Sequence, residues 1–188
     1  MKRKRMKGQF FLIIAFMLII LFYIGISVYL SPPGISETLS NDIDFIINNI
    51  ENEYPVAFNL GINESDGPGR VINFTIFARN LLKERNIELY SMIFFTESTG
   101  SNVNVTVANF LEEPEYVSVG ISGDDRILYV QNGSVNSTIF TDPADIFTLD
   151  IIFNSIQKNL LLGKYKSNLY FYTELKKGYD IIVGERKT

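Results

Sequence analysis

The chain opens on an uninterrupted apolar run, and beyond it the spacing of apolar residues changes twice. From Phe10 to Leu30 no side chain is charged, and a helix of about 20 residues spans the ~30 Å hydrocarbon layer of a bilayer. The stretch 9–31 is therefore read as a transmembrane anchor helix. A soluble core helix of this length would carry a polar stripe. A cleaved secretory signal would have a shorter apolar core ending in small residues, whereas this run ends in Tyr29-Leu30-Ser31-Pro32-Pro33. Pro32-Pro33-Gly34 stops the helix. Ile35, Leu39, Ile43, Ile46, Ile47, Ile50 and Tyr54 then recur at spacings of three and four, which predicts an amphipathic helix capped by Ser36 and ended by Pro55. Past the breaker sequence Asp66-Gly67-Pro68-Gly69, the residues Val71, Phe74, Ala78, Leu81 and Leu82 predict a second helix that stops near Asn86. Both stripes are expected to pack on the sheet that follows.

From Ile87 the period becomes two. Val103, Val105 and Val107 alternate with Asn102, Asn104 and Thr106; Val117, Val119 and Ile121 repeat the pattern, as do Phe147, Leu149, Ile151 and Phe153. Ile87–Thr96, Arg126–Gln131, Val135–Phe140, Asn168–Leu175 and Tyr179–Val183 complete about eight short strands. Asn132-Gly133 reads as a type I′ hairpin turn. The fold class expected is α+β: a single N-terminal transmembrane helix, a short helical segment, then a mainly antiparallel β-sandwich or open barrel. In domain terms this is a basic leader over 1–8, the anchor over 9–31, linker and amphipathic helices over 32–86, and an antiparallel β domain over 87–188.

Charge orients this layout. Lys2, Arg3, Lys4, Arg5 and Lys7 precede the apolar run, no acid appears before Glu37, and no base follows the run until Arg70. That bias keeps the N-terminus cytoplasmic and the C-terminal domain outside the membrane. With those five bases set aside, the 21 acidic residues far outnumber the bases that remain of 17. Nucleic acid is thereby excluded as a partner, because phosphate binding needs clustered Lys and Arg. The chain has no Cys and no His, which removes disulfides, Cys/His zinc sites, Cys nucleophiles and His-dependent triads together.

At the junction Lys7-Gly8-Gln9-Phe10-Phe11-Leu12, a basic stretch followed by Lys-Gly-Gln and a long apolar helix resembles the class III signal peptide of archaeal type IV pilin-like proteins. The resemblance covers about the first thirty residues. It implies that a prepilin-type peptidase cuts on the cytoplasmic side between Gly8 and Gln9 and leaves the apolar helix attached. Such pilins commonly carry a glutamate at the fifth mature position, which helps to dock the incoming subunit; the matching position here is Ile13.

Candidate chemistry is sparse. Five N-x-S/T sequons start at Asn63, Asn73, Asn104, Asn132 and Asn136, each a candidate N-glycan acceptor in an exported chain. Asn104 is the best placed by pattern, since it shares the polar face of its strand with Thr106; Asn132 sits at a turn tip with Asn136 just after it, and Asn73 falls inside a helix. The acidic clusters Glu112-Glu113-Pro114-Glu115, Asp124-Asp125 and Asp142-Pro143-Ala144-Asp145 match no calcium-loop pattern and read as turns. Tyr165, Tyr170, Tyr172 and Tyr179 crowd the C-terminal region, where strand packing is the ordinary use of aromatics. No catalytic residue, metal ligand or cofactor site is expected.

Three functions from different classes fit. The first is a membrane-anchored, pilin-like cell-surface component, structural or adhesive, whose partners are the lipid bilayer, a prepilin-type peptidase, and other pilin-like subunits or envelope components. The second is a membrane-tethered extracytoplasmic binding module that does not polymerise, which Ile13 favours. A small acid-dependent extracytoplasmic hydrolase ranks last, and the expectation is of a non-enzyme.

Overall fold

The structure, a computed structural model, describes residues 37–188. The leader, the Gly8–Gln9 junction, the apolar run and Ile13 lie outside the described residues. Helix α1 runs over Glu37–Asn63 and helix α2 over Gly67–Lys83. Nine strands follow: β1 (Glu88–Thr99), β2 (Asn102–Asn109), β3 (Glu115–Ile121), β4 (Asp124–Val130), β5 (Ser134–Phe140), β6 (Ile146–Phe153), β7 (Ile156–Gly163), β8 (Asn168–Lys177) and β9 (Asp180–Lys187).

The predicted stripe of α1 is the buried one: Ile43, Ile47, Ile50 and Tyr54 are all inside. The helix does not stop at Pro55, which lies in its interior. A mid-helix proline removes one backbone donor and costs about 3 kcal/mol. Here Tyr54 before it and Phe58 after it are both sealed in the core, and burying such rings contributes about 1.5–3 kcal/mol each, so packing carries the helix through. The predicted breaker Asp66-Gly67-Pro68-Gly69 is instead the start of α2. The Asp66 carboxylate accepts from the Gly69 backbone N–H at 3.1 Å as the N-cap, with Pro68 in the first turn where its missing N–H is not needed.

All strand pairings are antiparallel and form two sheets, a five-stranded one in the order β5-β2-β1-β8-β9 and a four-stranded one in the order β4-β3-β6-β7. The molecule is α+β. Alternate residues of β1 serve two cores. Met92 and Phe94, with Val105 of β2, face the second sheet, where they meet Val119, Ile151 and Phe153. Leu89, Ile93 and Phe95 face the helices, where they meet Ile47, Tyr54, Phe58 and Val71. The five-stranded sheet is thus the middle of three layers, and Ser40–Thr188 form one compact unit.

Between the helices and the sheet, a polar knot sits in the apolar layer. Tyr54 Oη lies 3.0 Å from Ser91 Oγ and 3.2 Å from Thr75 Oγ1, while the Thr75 hydroxyl donates to the Val71 carbonyl at 2.8 Å. These contacts tie α1, α2 and β1 at one point, and they satisfy groups that would otherwise be buried unpaired.

Two strand-level readings are corrected. Strand β7 escaped the period-two pattern because Leu160, Leu161 and Leu162 are consecutive and Lys158 falls in step with the inward-facing residues, held there at the sheet edge by Glu185 at 2.6 Å. Asn132-Gly133 is a turn but not a hairpin turn, because β4 and β5 belong to different sheets. The Ser134 N–H donates to the Gln131 carbonyl at 3.0 Å, and only Gly133 of the two central residues has positive φ, at 71°. That is type II geometry, suited to a chain passing from one sheet to the other.

Candidate functional site

The sequence-predicted sites are scattered rather than gathered. Asn63, at the end of α1, and Asn132 and Asn136, at and just after the Gln131–Ser134 turn, are exposed. Asn132 Nδ2 donates to the Glu112 carbonyl at 3.0 Å and Asn136 Nδ2 to that of Tyr129 at 3.1 Å. Asn104 differs from its expected placement. Its polar face is the one turned toward the helices, so Asn104 and Thr106 are half-buried, and the Asn104 Oδ1 is buried without a partner among the described residues. Asn73 is exposed on α2, but the hydroxyl of its sequon, Thr75, is sealed in the core.

The acidic clusters are structural. Asp142 holds Lys164, whose side chain is only 4% exposed, at 3.1 Å, and Lys164 also donates to the Pro143 carbonyl at 3.0 Å, so the loop closes over a buried ammonium. Asp124 pairs with Arg126 at 2.8 Å. The carbonyls of Glu112 and Glu113 accept from Asn132 and Asn109. Among the described residues no three Asp or Glu side chains come together as a metal site. The tyrosines divide: Tyr170 and Tyr172 are buried between the sheets, while Tyr165 and Tyr179 are exposed in the turns before and after β8.

What the structure does bring together, and periodicity alone did not reveal, is exposed apolar surface on the helices. A groove of about 280 Å³ between α1 and α2 is lined by Phe45, Ile46, Phe74, Phe77 and Leu81, with Asn49, Glu53 and Arg85 also contributing. Phe45 is 67% and Phe77 61% exposed. A signal for it exists in the sequence: Phe45 falls outside the three-and-four stripe of its helix, where a polar residue is the ordinary choice. A second depression of about 330 Å³ mixes polar and apolar groups, with Arg79, Asn80 and Lys83 of α2 and Glu88 and Tyr90 of β1 beside Ile76, Ile87 and Leu89. In it the Tyr90 hydroxyl donates to Glu88 at 2.9 Å, and burial together with that carboxylate pushes the phenol up to about 12.

These surfaces offer contact area. No protein-family profile matches the chain, and no curated protein matches it. None of the described helices is long and apolar enough to cross a membrane.

Proposed function

We propose that this chain is a membrane-anchored, pilin-like component of the cell surface, structural or adhesive, with its N-terminus cytoplasmic and its α+β domain displayed outside. The observation that carries the reading is the charge-free run from Phe10 to Leu30 behind Lys7-Gly8-Gln9, with six residues between it and α1. A helix of that length suits a bilayer, and the basic residues before it suit retention of the N-terminus inside. The displayed domain supports the same reading, since its exposed apolar groove and strand edges are features of a contact surface. Asn63, Asn132 and Asn136 are the sequons open to glycan attachment; Asn104 is half-buried.

Ile13 favours a second reading, a tethered extracytoplasmic binding module that does not polymerise. Membrane fractionation, N-terminal sequencing and imaging of the native cell surface test both. The mature chain is expected in the membrane fraction beginning at Gln9, and Gly8→Leu is expected to insert but stay uncut, because the peptidase needs a small residue at the bond. A membrane-bound chain still beginning at Met1 leaves a tethered module, and one beginning after Leu30 overturns the anchor. Filaments containing the chain decide for the polymerising form.

A further inference from the structure

The two sheets have four edge strands, β5 and β9 in the first and β4 and β7 in the second. An unpaired edge presents a row of backbone donors and acceptors, which natural domains blunt. Three of these edges have a backbone carbonyl taken by a side chain. On β5 the Ile139 carbonyl accepts from Arg126 Nη1 at 2.7 Å, on β4 the Tyr129 carbonyl accepts from Asn136 Nδ2 at 3.1 Å, and on β7 the Leu161 carbonyl accepts from Lys187 Nζ. Among the described residues, no side chain bonds to the backbone of β9.

The direction of the free groups follows from the ladder. Leu169 and Thr188 exchange both backbone hydrogen bonds, at 3.3 and 2.9 Å. Residues of β9 in step with Thr188, namely Ile182, Gly184 and Arg186, therefore turn their N–H and C=O toward β8. Ile181, Val183 and Glu185 point theirs away from the sheet. This free edge also shows apolar side chains, with Ile181 57% and Val183 54% exposed.

We propose that β9 is a strand-pairing surface for a second copy of this chain, antiparallel and two-fold symmetric about Val183. A two-fold axis normal to the sheet keeps the helix-covered faces of both copies on one side, so opposed residues must be an even number of positions apart. Centred on Val183, Asp180 stands opposite the second copy's Arg186 and Tyr179 opposite its Lys187, and by symmetry each pair occurs twice. Centring on Ile182 or Gly184 sets Asp180 against Gly184 or Thr188, and the charge match is lost. In the Val183 register, Ile181 and Glu185 exchange backbone bonds across the axis and Val183 pairs with itself, so the outward-pointing groups are satisfied. Arg186 Nη1 donates to Asn52 Oδ1 at 2.7 Å and has no other side-chain hydrogen bond among the described residues, which leaves N–H groups for Asp180.

The absence of cysteine makes the test direct in the full chain solubilised in detergent. Opposed Cα atoms of a hydrogen-bonded antiparallel pair lie about 5.5 Å apart, within disulfide range. Mild oxidation of Val183→Cys is therefore expected to give a covalent dimer as the main product. Ile181→Cys places its two thiols about 13 Å apart along the strands in this register and is expected to give little, as is Tyr116→Cys on the second sheet. Comparable yields from all three overturn the proposal. Asp180→Arg is expected to raise the concentration for half-maximal cross-linking of Val183→Cys by about tenfold, since two attractive pairs become repulsive. Adding Arg186→Asp is expected to restore it, and failure of that restoration overturns the register. Neither result depends on whether the chain carries an anchor, because leader cutting and membrane retention are read separately by N-terminal sequencing and fractionation.

Discussion

Tyr170 and Tyr172 project into the space between the sheets, and their hydroxyls donate to Glu185 at 3.2 Å and to Glu174 at 3.3 Å. Burial first, and the neighbouring carboxylate second, disfavour the phenolate: Tyr172 is pushed up to about 12 and Tyr170 also well above its usual value. An unfolded tyrosine releases its proton near pH 10, so between that value and the raised one the folded state holds more protons than the unfolded state. Stability from these groups is complete below about pH 10 and is lost as pH rises toward about 12. Denaturant midpoints measured from about pH 8 to 12 should fall on the alkaline side, and Tyr172→Phe should flatten that fall while costing about 1 kcal/mol at neutral pH through the lost hydrogen bond. An equally steep fall in the variant would mean that Tyr172 is not a group behind the loss. At this scale the sequence was legible in part. The alternation of Val103, Asn104 and Val105 named the two faces of β2 correctly. It did not show that the polar face lies under the helices, because a strand's period tells which residues share a side and not what covers it.

Helix α1 and strand β8 show how elements outrun their local signals. Proline at position 55 is a strong stop by propensity, yet the helix continues because Phe58 fills a slot against Phe95, with ring centroids 5.9 Å apart. Replacing Pro55 by Ala restores a backbone donor and relieves the ring's clash with the preceding turn. It should raise stability by about 1–2 kcal/mol, less than the full helix-propensity difference because proline also restricts the unfolded chain. Thermal melting of the two proteins checks it, and a destabilised Ala variant would mean that Pro55 is held by packing rather than tolerated. In β8, Leu169 to Thr173 are all buried, so hydrophobicity is nearly continuous. A strand covered on both faces, by helices on one and by a second sheet on the other, loses the alternation that marks a half-exposed strand. The same loss of contrast hid β7, where three leucines in a row and an inward lysine blurred the period.

Taken whole, the described chain is a three-layer unit whose helices and sheets share their cores, so residues 36–188 expressed without the apolar run should fold cooperatively. Far-UV circular dichroism should be dominated by β signal with a helical minority. A mainly helical spectrum, or aggregation relieved only by restoring residues 10–30, would contradict the architecture. The sequence by itself determined the α+β class, the helix stripes, most strands and their inward faces, because these rest on periods of 3.6 and 2 that act within a few residues. It also determined the lack of Cys and His chemistry. Only the tertiary structure decided which strands join which sheet, that Asn132-Gly133 passes between sheets, and that, among the described residues, nothing covers the helix groove or the β9 edge. Pairing partners such as Phe94 and Tyr170 are far apart in the chain, and their meeting is set by the closing of three layers on one another, a condition that no short stretch of sequence contains.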